Sequence, residues 1–179
     1  MTEYLPSKTA QDSRCVMTEY VLPNDTNPLG NLMGGRLLHL MDVCAAITAQ
    51  RHAQRICVTV SVDSVDFRSP IQLGEIINME GVVNRAFRTS LEVELNVWAE
   101  NPLTGDRRKS NTAYFTFVAV DESYKPTPVP ALEPETESEL KRYDAAARRR
   151  EFRLLLSGRI TLDEAEHIQG DVRAVLDIP

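Results

Sequence analysis

The stretch LMGGRLLHLMDVCAAITAQ, residues 32–50, constrains this chain more than any other. Leu, Met and Ala dominate it, all good helix formers, and its apolar residues cover most of the helical circumference. Such a helix cannot lie on a surface with one wet face and must be covered on several sides. The flanking segments supply the cover. From Ile56 the hydrophobic period changes from 3.6 to 2. Ile56, Val58, Val60 and Val62 alternate with Cys57, Thr59, Ser61 and Asp63, which predicts a strand with one apolar face. Val65 and Phe67 carry the apolar phase on at odd numbers, so a bulge is expected near residues 63–64. Pro70 and Gly74 bound a turn, and residues 75–83 form a strand rich in Ile, Val and Met. Leu91, Val93, Leu95, Val97 and Ala99 alternate with Ser90, Glu92, Glu94, Asn96 and Trp98, and NPLTGDRR then makes a hairpin loop. The last strand, 110–120, has Ala113, Phe115, Phe117 and Ala119 on one face and Tyr114, Val118 and Val120 on the other, the pattern of a central strand. Ahead of the helix, residues 15–22 read as an edge strand and PNDTNPLGN as a loop.

One strand, one long apolar helix and four strands joined by short turns make an α+β fold, a curled antiparallel sheet wrapped around one long central helix. Part of a helix apolar nearly all round projects past a single sheet. That predicts a homodimer whose two sheets cover both helices.

The chain divides into an N-terminal tail (1–14), this folded unit (15–122), a Pro-rich linker (123–135) and a C-terminal helical extension (136–179). KPTPVPALEP suits an extended polyproline-like run. Thr136 with Glu139 reads as a capping box opening a helix to Leu156, stopped by Gly158, and Thr161 with Glu164 opens a second one ending near Leu176. Arg148, Arg149 and Arg150 mark either a solvated helix face or a basic docking surface. A net charge of −6 argues against a nucleic-acid partner. No run approaches the ~18 apolar residues that span a bilayer, and the polar N-terminus lacks a signal-peptide core. Cys15, Cys44 and Cys57 are odd in number with no C-x-x-C spacing, which points away from a disulfide framework or zinc ribbon and toward a reducing cytoplasm.

Three features converge on residues 24–42. Gly34 and Gly35 open the apolar helix, where glycine costs up to about 1 kcal/mol relative to alanine in an interior. Their backbone N–H groups offer close approach to a carbonyl oxygen or an anion, and close packing against a strand is the alternative. Asp42 lies among Leu40, Met41, Val43 and Cys44. A carboxylate there needs a partner, either a structural one such as Arg36 or His39 or a reacting water for which it is the general base. Asn27 stands in the loop with Asn24 and Asp25, residue types that usually serve turns and caps.

The segment PNDTNPLGNLMGGRLLHLMDVCAAITAQRHA closely resembles the one that identifies acyl-CoA thioesterases of the hot-dog fold, the bacterial acyl-CoA hydrolases and the long-chain and brain-type enzymes. Asp25, Asn27, Gly30, Gly34, Gly35, Met41, Asp42, Ala45, Ala46, Arg51 and His52 match that pattern, with VDFRSPIQLGE (within residues 62–75) and FTFVAVD further on. Met33 and Leu29 depart from it. The resemblance implies hydrolysis of fatty acyl-CoA to free acid and coenzyme A, with coenzyme A as part of the substrate and no metal or other cofactor. It implies that Asp42 activates water or attacks the thioester, that Asn27 of the partner subunit orients water or substrate, and that the amide near Gly35, with Gly34 beside it, polarises the carbonyl. It also implies active sites shared across the dimer and a trimer of dimers. An acidic protein needs local cations for the phosphates of coenzyme A. Arg88, Thr89 and Ser90 in NRAFRTS, with Arg68, are the expected contacts, and plain solvated turn residues the alternative. G-x-S-x-G is absent, which disfavours a serine nucleophile. A non-catalytic acyl-CoA-binding module is the competing reading, and a hydratase using His39 a third.

Overall fold

The computed structural model describes residues 5–63, 65–67 and 69–176 of the chain. Two compact units emerge, Met1–Glu133 and Pro134–Pro179. In the first, a short helix α1 (Ala10–Ser13) precedes strand β1 (Cys15–Tyr20) and the long helix α2 (Gly34–Ala53). Strands β2 (Ile56–Val62), β3 (Ile76–Ala86), β4 (Ser90–Glu100) and β5 (Arg107–Val120) follow. The sheet has the order β1-β3-β4-β5-β2 with every pair antiparallel. It curls around α2, which touches all five strands. Ile77, Met79, Val83, Leu91, Leu95, Phe115 and Phe117 from the sheet meet Leu37, Leu40, Met41, Cys44 and Ala45 from α2 in one buried core. Gly81 lets β3 approach the helix, since a Cβ there would collide with Thr48 Oγ1.

Three expectations are corrected. Strands β2 and β3 are not neighbours: residues 63–75 carry the chain across, and β2 pairs with β5 at the far edge. The bulge lies at Val60, where the register slips between Thr59 and Ser61, and Asp63 N still donates to Tyr114 O at 3.0 Å. The expected site at 63–64 is half outside the described residues. The slip places Thr59, opposite Phe117, and Val62, opposite Phe115, on the same side of the strand as Cys57. The apolar stripe of β2 is therefore not its core face. Ile56, Val58 and Val60 are exposed at an unpaired sheet edge.

Residues 125–133 are extended and stitched to the first unit. Thr127 N donates to Ala119 O, Val129 N to Arg88 O, Lys8 N to Ala131 O and Glu133 N to Lys8 O. Val129 and Leu132 are buried. At the C-terminus of α2, buried His52 meets Pro130 O through Nε2 at 3.0 Å. A carbonyl only accepts, so Nε2 carries the hydrogen and the buried Nδ1 is left without a partner.

The second unit holds α3 (Glu137–Leu156) and α4 (Gln169–Leu176) with a 3-10 turn at Leu162–Glu164. The capping box at Thr136 forms, Glu139 N donating to Thr136 Oγ1 at 3.2 Å. The one at Thr161 opens only the 3-10 turn, a further difference from the sequence pattern. Helix α4 starts later because Glu151 of α3 accepts the N–H groups of His167 and Ile168 at 2.7 and 3.2 Å, acting as an acceptor at its N-terminal end. No described helix is long and apolar enough to cross a membrane.

Candidate active site

Asp42 sits half-buried on α2, and its partner is neither of the side chains the sequence suggested. Arg36 Nε donates instead to Asp25 Oδ1 at 2.9 Å. His39 lines the same cavity as Asp42, and its side chain makes no hydrogen bond to a described residue. The donor to Asp42 is Thr59, whose Oγ1 lies 2.8 Å from Oδ1. Sequence reasoning missed Thr59 by assigning it to the polar face of β2. It faces the helix because β2 runs antiparallel to β5 at the edge and because the core side of this strand is its odd-numbered side up to the bulge.

The start of α2 lies on the same cavity. Met33 at the N-cap has no side-chain oxygen to cap the helix, so the first-turn N–H groups at Gly34 and Gly35 have no side-chain acceptor. The glycine pair has two different reasons. A Cβ on Gly34 would touch the Phe67 ring at 3.4 Å, whereas beyond Gly35 nothing lies within 4 Å of a Cβ position. The open residue borders a cavity of about 560 Å³ lined by Gly35, Leu38, His39, Asp42, Val62, Val65, Phe67 and Phe115. An acceptor held at Gly35 meets the positive end of the α2 dipole. One wall therefore carries a carboxylate held by a hydroxyl and a helix end ready to polarise a carbonyl, and the rest is mostly apolar.

Asn27 occupies a second cavity of about 330 Å³, with Asn31, Leu32, Gly34, Leu37, Phe67, Ser69, Pro70 and Ile71. Its Oδ1 accepts from Leu29 N at 2.9 Å and Asn31 N at 3.2 Å, which leaves the amide Nδ2 to point elsewhere. Gly30, at φ +74°, closes this turn. Asp25 serves the caps, as loop acids commonly do. It accepts from Leu22 N at 3.3 Å, its carbonyl accepts from Met33 N at 2.9 Å, and its tie to Arg36 fastens the loop to α2. Within one protomer Asn27 and Asp42 thus face different cavities.

Arg88, Thr89 and Ser90 lie at the β3–β4 turn, where Phe87 N donates to Ser90 O. Thr89 O accepts from Ala119 N, which fixes this turn at the sheet end near the C-terminus of α2. The protomer therefore does not bring it to Gly35, because α2 starts at the other end. Arg88 is exposed, and Thr89 and Ser90 are half-buried. Arg68 lies outside the described residues.

The remaining ionisable groups have other tasks. Arg108 donates from Nη1 and Nη2 to both oxygens of Glu75 and holds that carboxyl below the usual range. Burial pushes the thiols of Cys44 up to about 12 and Cys57 up to about 11, which keeps them protonated and poor nucleophiles. No group of three metal-ligating side chains occurs among the described residues.

Known proteins share this architecture. The family model described as Thioesterase superfamily matches residues 29–105. An uncharacterised acyl-CoA thioester hydrolase of Bacillus subtilis is 40% identical over 143 residues, 80% of this chain and 83% of that protein. A crystal structure of an apo hexameric acyl-CoA thioesterase superposes with a TM-score of 0.82 at 44% identity, covering 86% of this chain and 98% of that one. The acyl-CoA hydrolase of Staphylococcus aureus, solved with butyryl coenzyme A, coenzyme A and coenzyme A disulfide, gives 0.78 at 36% identity over 86% and 96% of the two chains. Variants of that protein with alanine in place of an aspartate, an asparagine or a threonine have also been solved.

Proposed function

The chain belongs to the thioesterase superfamily, and from that premise we propose that it hydrolyses fatty acyl-CoA to the free acid and coenzyme A at the cavity beside Asp42. The observation that carries the reading is the shared wall: a Thr59-held carboxylate and the open helix start at Gly35 border one largely apolar cavity. The thioester carbonyl oxygen points at the Gly35 amide, which stabilises the charge that develops there. Asp42 takes a proton from water as the water oxygen attacks the carbonyl carbon. The tetrahedral intermediate then expels the coenzyme A sulfur, which takes the proton from Asp42 and leaves as the thiol, so the free acid departs and the carboxylate is restored. Asp42 as direct nucleophile is the variant of this scheme. Water is the only co-reactant, and no cofactor takes part.

Asn27 completes the site from a second copy of the chain. Its amide Nδ2 is left over by its own turn, and the exposed apolar stripe of edge strand β2 gives a second copy a surface to cover. Relatives named hexameric support assembly of such dimers into a trimer. In that arrangement Arg88, Thr89 and Ser90 reach the phosphates of coenzyme A from their end of the sheet. Free cysteines at 15, 44 and 57 fit a cytoplasmic home.

Thiol release from a panel of acyl-CoAs tests this, with the parent compared with Asp42→Asn. Turnover should fall by at least ~10²-fold, the scale of a general base, while coenzyme A binding by calorimetry persists. Near-parental turnover of Asp42→Asn overturns the catalytic assignment. Binding of coenzyme A with no hydrolysis of any acyl-CoA by the parent replaces the enzyme with a binding module. Mixed assemblies of Asp42→Asn and Asn27→Ala should regain activity, since one composite site keeps both residues.

A further inference from the structure

Phe67 is a large apolar side chain left 51% exposed, and its position gives that exposure a use. The tip of its ring packs on the start of α2, with Cζ, Cε2 and Cε1 at 3.4, 3.7 and 3.8 Å from a Cβ position on Gly34. Among the described residues it is the one side chain that lines both cavities at this end of the helix. Asp42 and Gly35 are on one side of the ring, and Asn27, Leu37 and Ile71 on the other.

The ring does not hang on a free loop. Asn111 Nδ2 donates to Asp66 O at 2.9 Å, just before it in the chain. Just after it, Ser110 Oγ donates to Ser69 O at 3.2 Å, and Arg108 donates to Ser69 Oγ and Pro70 O at 3.1 and 2.7 Å. Asn111 and Ser110 are buried polar residues of β5 with no task in the reaction. Their hydrogen bonds fasten the backbone on both sides of Phe67, so the wall it forms has a fixed position.

The geometry points to Phe67 as the specificity-determining residue that limits acyl-chain length; the inference rests on the thioesterase reading above. A thioester placed at Asp42 and Gly35 sends its acyl chain along Leu38, Val62, Val65 and Phe115, and the ring closes that path. Beyond it lies a further cavity of about 330 Å³ whose apolar wall is Leu32, Leu37 and Ile71. Removing the ring joins the two spaces, and hydrophobic pockets discriminate substrates by about 10–200-fold for one methylene.

The test measures kcat/KM for butyryl-CoA through palmitoyl-CoA with the parent, Phe67→Ala, Phe67→Leu and Phe67→Trp, each checked for folding by thermal melting. Phe67→Ala should raise the palmitoyl-to-butyryl ratio at least ~10-fold, mainly through KM for the long substrate. Phe67→Leu should raise it less, and Phe67→Trp should lower it. A ratio unchanged within about twofold in the folded variants overturns the proposal. So does an equal loss at every chain length, which would mark Phe67 as structural only. If the parent releases thiol from none of the substrates, the thioesterase reading has failed and this one falls with it. A parent active on the panel with an unmoved ratio removes only the role of Phe67.

Discussion

Replacing Thr59 by valine removes one hydroxyl from the site and keeps the shape of the side chain. Valine also suits a strand at least as well as threonine does. Thr59 Oγ1 is the donor to Asp42 at 2.8 Å, and no other hydrogen bond to that carboxylate is seen among the described residues. A hydrogen bond to a charged acceptor contributes a net of about 1.5–3 kcal/mol. If that interaction holds the carboxylate in its working rotamer, its loss appears in the transition state more than in substrate binding. At 1.36 kcal/mol per factor of ten, kcat should fall by roughly 10- to 100-fold while KM moves by no more than about twofold. The assay is steady-state thiol release on one short acyl-CoA, with Thr59→Ser as the variant that restores a hydroxyl at the same place. Rescue by serine separates the hydrogen bond from packing. A Thr59→Val enzyme with kcat within threefold of the parent, or one whose loss falls wholly in KM, would refute the positioning argument.

Two stability predictions follow from other parts of the first unit. Gly81→Ala forces a Cβ against Thr48 Oγ1, itself donating to Cys44 O at 2.9 Å, so overpacking should cost about 1–3 kcal/mol by denaturant melts. Adding Thr48→Ala should recover most of that loss, and a parental midpoint for Gly81→Ala alone would show that β3 is not as close to α2 as described. His52 is buried neutral, with burial and the nearby Lys8 charge holding it below its usual value against the opposing Pro130 hydrogen bond and Asp12. A depressed folded value means that the unfolded chain takes up the proton first. The stability from neutral His52 is therefore present above the unfolded value near 6.5 and is lost as pH falls below it toward the folded value. Melting temperature between pH 7 and 5 should fall more steeply for the parent than for His52→Gln, and parallel curves would count against it.

Much of this architecture was legible in the sequence because it is written in local periods. The crowded apolar circumference of α2 and the alternation of β4 gave both elements and the demand that one cover the other. The orientation of β2 was not legible, since Ile56, Val58 and Val60 alternate as cleanly on an exposed edge as in a core. Alternation reports that one face is apolar, not which neighbour faces it. The bulge at Val60 is hidden for the same reason, a β-branched residue that continues the apolar phase on both readings. Asp42 and Gly35 stand out in the sequence because a carboxylate and a glycine are conspicuous in an apolar helix, and the fold places both on one cavity. Thr59 lies 17 residues from Asp42 and Phe67 faces Gly34 across a crossing loop, and neither pairing leaves a mark in either stretch of sequence. The order of β2 beside β5 is likewise a long-range choice made by the curl of the sheet.

Helix α2 is fastened at one end and open at the other. Lys8 Nζ donates to Arg51 O at 2.7 Å, and His52 and Pro130 tie the last turn down, while the first turn faces a cavity. Substitutions in the last turn therefore register as changes in melting, and those at the cavity-facing positions Gly35, Leu38, His39 and Asp42 as changes in what is turned over. Most stabilising changes risk activity because the two traits draw on the same residues. Here they are separated along a single rod, so a lineage can retune its substrate without loosening its frame, and a protein engineer can harden the frame first and vary the pocket afterwards.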